Sequence, residues 1–263
     1  MPELPEVNTF QRYFDGTSLD QKINNVIVHD EKIIRNVTGS EFVEKMTGRT
    51  FTGSYRRGKY LFATMENGHH LLLHFGMTGD LKYYQEEIER PRHERFAFEF
   101  DTGFTLGFDC PRKFARILYL EDRDAYIQEV KLGEDALVIE EKDFTKLFQG
   151  KKGSVKGLLL NQSNLAGMGN LYADEVCYRT RVHPGSSAGK IPVKKRKAIY
   201  DAMQEVLNFA INKNAYYKDY PDNWLWEWRE EGRKAPDGKS PIQIEKIAGR
   251  TTYYFKGYQK LYK

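Results

Sequence analysis

The stretch from Lys156 to Glu175, KGLLLNQSNLAGMGNLYADE, decides how the second half of the chain is built. Leu158, Leu159 and Leu160 lie in a helical pattern over residues 154–161, and a second helix is predicted over 170–179. Between them Gly167 and Gly169 punctuate a double turn. Gly169 and Asn170 therefore fall at a helix N-terminus, where free backbone N–H groups and the positive end of the dipole favour a phosphate. The asparagine side chain adds a donor. A dinucleotide-binding reading fails, because Tyr172 stands where the third glycine belongs. A plain helical hairpin is the alternative.

Downstream, residues 193–213 carry Ile199, Met203, Val206, Leu207 and Ala210 on one helical face. Ile242, Ile244 and Ile247 then lead through Ala248-Gly249-Arg250 into 251–255, a β-hairpin with an arginine at its tip. Upstream, a short helix is expected over 144–149, preceded by an acidic linker over 133–142. The chain opens with a helix over 4–14 that aligns Val7, Phe10 and Phe14, with Pro5 in its first turn. From residue 22 to about 122 short period-two runs recur (23–28, 51–55, 60–65, 71–74, 96–100 and 117–120), separated by turns such as Glu66-Asn67-Gly68 and Asp101-Thr102-Gly103. Many short strands at this spacing argue for a β-sandwich or barrel. The expected fold is α+β: a helix and β domain over 1–132, then a helical domain over 133–263 that ends in a hairpin at about 238–263.

A hydrophobic fraction of 40% with 30% charged residues describes a soluble globular protein rather than a disordered or fibrous one. Apolar runs are too short to span a bilayer, and the acidic N-terminus does not fit a signal peptide. An intracellular protein (cytoplasm, nucleoid or nucleus) without membrane partners is expected. The two cysteines, Cys110 and Cys177, cannot build a four-cysteine zinc site and are expected to be buried thiols. Forty-one basic against 37 acidic residues leave a net charge of +4, compatible with nucleic acid but weak by itself. Two basic clusters stand out, Lys190/Lys194/Lys195/Arg196/Lys197 and Lys246/Arg250/Lys256/Lys260/Lys263; each is otherwise a solvated face.

Met1 is followed by Pro2, a residue small enough to permit removal of the initiator methionine. The exposed secondary amine, with a pKa of about 8, keeps a neutral fraction at pH 7 and can form an iminium with a sugar carbon. Glu3 beside it is placed for acid/base work. Taken alone, Met-Pro-Glu is an ordinary helix start.

Together the separated motifs closely resemble the formamidopyrimidine-DNA glycosylase/endonuclease VIII (Fpg/Nei) family. They are PELPEV at 2–7, RRGKYL at 56–61, HFGMTG at 74–79, DCPRKF at 109–114, the 156–175 stretch, and GRTTYY at 249–254, in family order across nearly the whole chain. The resemblance implies a β-sandwich catalytic domain, a helix-two-turns-helix domain and a bifunctional glycosylase/AP lyase acting as a monomer on damaged duplex DNA. It makes Pro2 the nucleophile, Glu3 the acid/base residue and Lys59 the hairpin lysine that contacts phosphate and assists catalysis. Asn170, with Gly169, and Arg250 would grip phosphates flanking the lesion, and Lys156 another phosphate. Met77, Arg112 and Phe114 would fill the gap left by the flipped nucleotide; Met77 and Phe114 are alternatively core residues.

Most members close the terminal hairpin with four cysteines and zinc. Here Phe255 and Tyr258 take the second pair of ligand positions, so a zincless finger with no metal or cofactor is expected. Phe255, Tyr258, Tyr253 and the run Trp224, Trp226 and Trp228 are expected to supply packing instead. Leu4 and the Met77/Arg112/Phe114 set resemble the branch that removes oxidised purines. Residues 214–239, where the family has a loop over the damaged base, match poorly, so a lyase with little base excision is one rival reading; oxidised-pyrimidine removal and non-catalytic damage or abasic-site binding are others.

Overall fold

The computed structural model describes residues 1–230 and 232–263, and it divides into two compact units, Met1–Lys131 and Leu132–Lys263. Unit 1 runs α1 (Leu4–Ser18), β1 (Ile23–Val28), α2 (Gly39–Met46), β2 (Phe51–Arg57), β3 (Tyr60–Met65), β4 (His70–His74), β5 (Asp80–Tyr84), β6 (Glu94–Phe100), β7 (Thr105–Asp109), β8 (Arg116–Leu120) and α3 (Arg123–Glu129). Unit 2 runs β9 (Glu134–Asp135), α4 (Glu141–Lys146), α5 (Val155–Leu160), β10 (Leu165–Ala166), α6 (Asn170–Arg179), α7 (Val193–Asn212), β11 (Ile242–Ile247) and β12 (Arg250–Phe255).

In unit 1 two antiparallel four-stranded sheets, ordered β1-β6-β7-β5 and β2-β3-β4-β8, make the expected sandwich. Their inner faces meet in a phenylalanine-rich core: Phe42 packs on Phe96 and Phe98, Phe51 on Phe98, and Phe96 on Phe108. Helix α1 packs on β2, β3 and β5. Pro5 needs no N–H partner in the first turn, and the Glu6 carboxylate accepts the Glu3 N–H at 2.9 Å. Phe10 packs at a tilt on Phe75 with ring centroids 4.3 Å apart, which holds α1 against the loop after β4.

Two corrections concern unit 2. Residues 133–142 are not a linker. Strand β9 pairs in parallel with β10, the Gly133 N–H donates to the Gln162 carbonyl at 2.8 Å, and Ala136 and Ile139 are buried. The acidic run is ordered because Asp135 turns its carboxylate back to the Leu137 N–H at 3.0 Å. The hairpin is packed by fewer tryptophans than expected. Phe255, Tyr178, Leu225 and Ile242 form its cluster with Trp228, Tyr253 and Tyr258 against it, whereas Trp224 packs on Phe209 and Tyr220, and Trp226 on Tyr217. Cys110 and Cys177 are buried thiols, and burial pushes the Cys177 pKa up. Among the described residues no helix is long and apolar enough to cross a membrane, and no cluster of three metal-ligating side chains occurs.

Candidate active-site and nucleic-acid interface residues

In unit 1, Pro2 is half-buried just ahead of α1, and Glu3 is the N-cap residue with only 4% of its surface exposed. Lys59 sits in the two-residue turn between β2 and β3, with Arg57 paired to Tyr60 across it. Gly58 opens that turn at φ +58°, the left-handed value that glycine takes without strain. Arg56 reaches over the turn and donates to the Gly58 carbonyl at 3.1 Å. Lys59 is held at 7% exposure rather than waving in solvent.

His74, in the HFGMTG motif, ends β4. It packs on Tyr60 at 4.9 Å, and its pKa falls to about 4. Burial is the main cause, followed by the charges of Arg116 and Lys59. It is therefore neutral at physiological pH, close enough to Lys59 to feel its charge.

Met77, Arg112 and Phe114 converge on one exposed patch. Met77 is 39% and Phe114 53% exposed, which excludes the core alternative. A Cβ on Gly76 would lie 2.4 Å from the backbone of Phe114, so the loop after β4 and the loop after β7 touch main chain to main chain. The Arg112 N–H donates to Thr78 Oγ1 at 3.3 Å, and the Arg112 guanidinium lies over the Phe114 ring at 5.2 Å. Lys113 takes the left-handed region at φ +55° between them, anchored by an ion pair to Asp30 at 2.5 Å.

In unit 2 the double turn is braced by one side chain. Gln162 donates to the carbonyls of Leu160 and Met168 at 2.8 and 2.9 Å and accepts the Gly167 N–H at 2.9 Å. Gly167 takes φ +112°. Gly169, itself buried, is the N-cap residue of α6 and brings no side chain to its first turn. Asn170 is half-buried, and its Nδ2 donates to the Thr251 carbonyl at 3.1 Å. Arg250 follows the tight turn Ala248-Gly249, both at positive φ, and is exposed. Helix α5 and the hairpin tip approach closely, since a Cβ on Gly157 would lie 3.3 Å from that of Ala248. Asn170 and Arg250 thus share one neighbourhood.

Lys156 departs from its expected role. Its side chain has no exposed surface and lies 2.6 Å from the equally buried Asp174 carboxylate. An ammonium so enclosed presents nothing to a phosphate. The basic cluster on α7 is also partly spent inside the unit. Lys195 donates to the Thr180 carbonyl, Arg196 to the Ile191 carbonyl, and Lys197 pairs with Glu141 and Asp201.

The described geometry agrees with what the chain resembles. Residues 1–117 match the formamidopyrimidine-DNA glycosylase N-terminal domain, and 132–219 match the formamidopyrimidine-DNA glycosylase H2TH domain. A formamidopyrimidine-DNA glycosylase of Ligilactobacillus salivarius is 36% identical over 275 residues, covering 97% of each chain. One of Arabidopsis thaliana is 32% identical over 280 residues, covering 100% of this chain and 72% of the plant protein. The crystal structure of Lactococcus lactis formamidopyrimidine-DNA glycosylase, bound noncovalently to DNA containing an AP site, is similar at TM-score 0.89 and 25% identity. That match covers 98% of this chain and 99% of the other.

Proposed function

The chain belongs to the formamidopyrimidine-DNA glycosylase family, and from that premise we propose that it removes oxidised purines from duplex DNA and incises the resulting AP site. It is a DNA glycosylase of base-excision repair. The observation that carries the finer reading is the exposed convergence of Met77, Arg112 and Phe114. Two large apolar groups with a guanidinium beside them suit a vacated position in a base stack. There the apolar wedge offsets a few kcal/mol of lost stacking, and the arginine faces the orphan base.

In this proposal the Pro2 amine, free once Met1 is removed, directs its lone pair at C1′. The C1′–N bond breaks and its electron pair leaves with the base, which takes up a proton. Ring opening, with Glu3 moving the proton to or from the ring oxygen, gives an iminium. Loss of a C2′ proton then expels the 3′ phosphate, and a second elimination expels the 5′ phosphate. Lys59, on a rigid turn, contributes positive charge near a phosphate. Asn170, the Gly169 mouth of α6 and Arg250 hold flanking phosphates.

The readings separate on duplexes carrying 8-oxoguanine, a formamidopyrimidine, an oxidised pyrimidine or an AP site. Release of the purine lesions with strand incision is expected. Preferential release of the pyrimidine, or incision of the AP site alone, would replace the purine assignment. Binding without any product would leave a damage-binding protein.

A further inference from the structure

We propose that Lys156 and Asp174 form a buried positioning pair that holds the hairpin tip so that Arg250 and Asn170 can receive DNA phosphates. This rests on the DNA-binding reading above and replaces a direct phosphate role for Lys156.

The Lys156 ammonium donates two hydrogen bonds and is ion-paired with one carboxylate oxygen. Lys156 Nζ lies 2.6 Å from Asp174 Oδ1, 2.7 Å from Thr252 Oγ1 and 3.3 Å from the Thr251 carbonyl. Each leads toward the proposed grip. The Thr252 hydroxyl passes the chain on by donating to the Arg250 carbonyl at 2.9 Å. The Thr251 carbonyl is shared with Asn170 Nδ2. One buried cation is therefore a single relay from the backbone of Arg250 and shares an acceptor with the side chain of Asn170. On its far side Asp174 Oδ2 accepts the Tyr253 N–H at 3.3 Å and pairs with Arg229 at 3.4 Å. The pair thus joins α5, α6, β12 and the segment after α7, which includes part of the poorly matching stretch.

Burial lowers the pKa of Lys156 and raises that of Asp174, with their mutual attraction opposing both shifts. Two desolvated charges gain little over an apolar pair of similar volume, so stability alone does not explain them. Directional hydrogen bonds, which an apolar pair lacks, do explain them: they fix where the strand after the tip lies.

The test is a double-mutant cycle on the full chain, reading affinity for a duplex with a tetrahydrofuran AP-site analogue over a range of salt. Wild-type binding comes first, because its absence would refute the DNA reading itself. The apolar replacement K156M/D174L should melt no lower than wild type yet bind about tenfold more weakly. Thr252→Val, which cuts the relay with little change in volume, should reproduce part of that loss. Adding Arg250→Ala to K156M/D174L should cost almost nothing more, with no further change in salt slope. Additive losses, with the slope falling by a further ~0.9, would mean that Lys156 contacts its own phosphate and would overturn the proposal. Wild-type affinity in K156M/D174L or in Thr252→Val would overturn it too.

Discussion

Unit 1 leaves Met77 and Phe114 in solvent, while unit 2 encloses the charges of Lys156 and Asp174. Each region reverses the ordinary partition of residue types, and the two do so at different cost. Exposed apolar side chains cost the folded chain little, because most protein surface is apolar in any case. Buried charges are expensive unless every lone pair and proton is used. The first reversal therefore calls for an outside partner, and the second for partners already present in the fold. The exposed side chains can be lost without unfolding; one half of the buried pair cannot be lost alone.

The contrast can be broken most directly at Lys156. Lys156→Met alone should destabilise unit 2 by about 3–5 kcal/mol in thermal or denaturant unfolding, because it strands the Asp174 carboxylate. A loss below about 1 kcal/mol would show that the pair is not a strut. His74 sharpens the comparison as a buried titratable group in unit 1. Its folded pKa of about 4 lies below the ordinary 6.5, so the stability it contributes is present above pH 6.5 and disappears as pH falls toward 4. Between pH 7 and pH 4.5 the wild type should lose about 2 kcal/mol more than His74→Gln, allowing for partial solvent screening. Parallel pH profiles would contradict this. The smallest stability effect is expected at the wedge. Met77→Ala and Phe114→Ala should each change stability by no more than about 0.5 kcal/mol. Both should weaken lesion binding, and a large melting shift would mean that these residues are core after all.

How well each region could be read from sequence follows the same division. Strand β3 and helix α6 matched their expected ranges because period-two and capped helical patterns are local signals. Strand β7 was missed because Gly107 interrupts it. A Cβ at that position would run into the Glu94 carboxylate, which would have to move. Helix α2 was missed although Thr38 and Glu41 form a reciprocal capping box that marks its start. For Met77 and Phe114 the sequence leaves surface and core both open, and their exposure decides for the surface. Lys156 was misjudged because its environment arrives with Thr252, 96 residues later. Nothing local separates a buried lysine from a solvated one.

Neither region carries the proposed bond-making step, which belongs to the amine of Pro2. Borohydride trapping on an AP-site duplex, followed by mass spectrometry of the adduct, tests it directly. The expected result is a covalent complex whose modified peptide begins at Pro2, with none formed by chain that retains Met1. An adduct on a lysine, or none from chain that lacks Met1, would contradict the assignment.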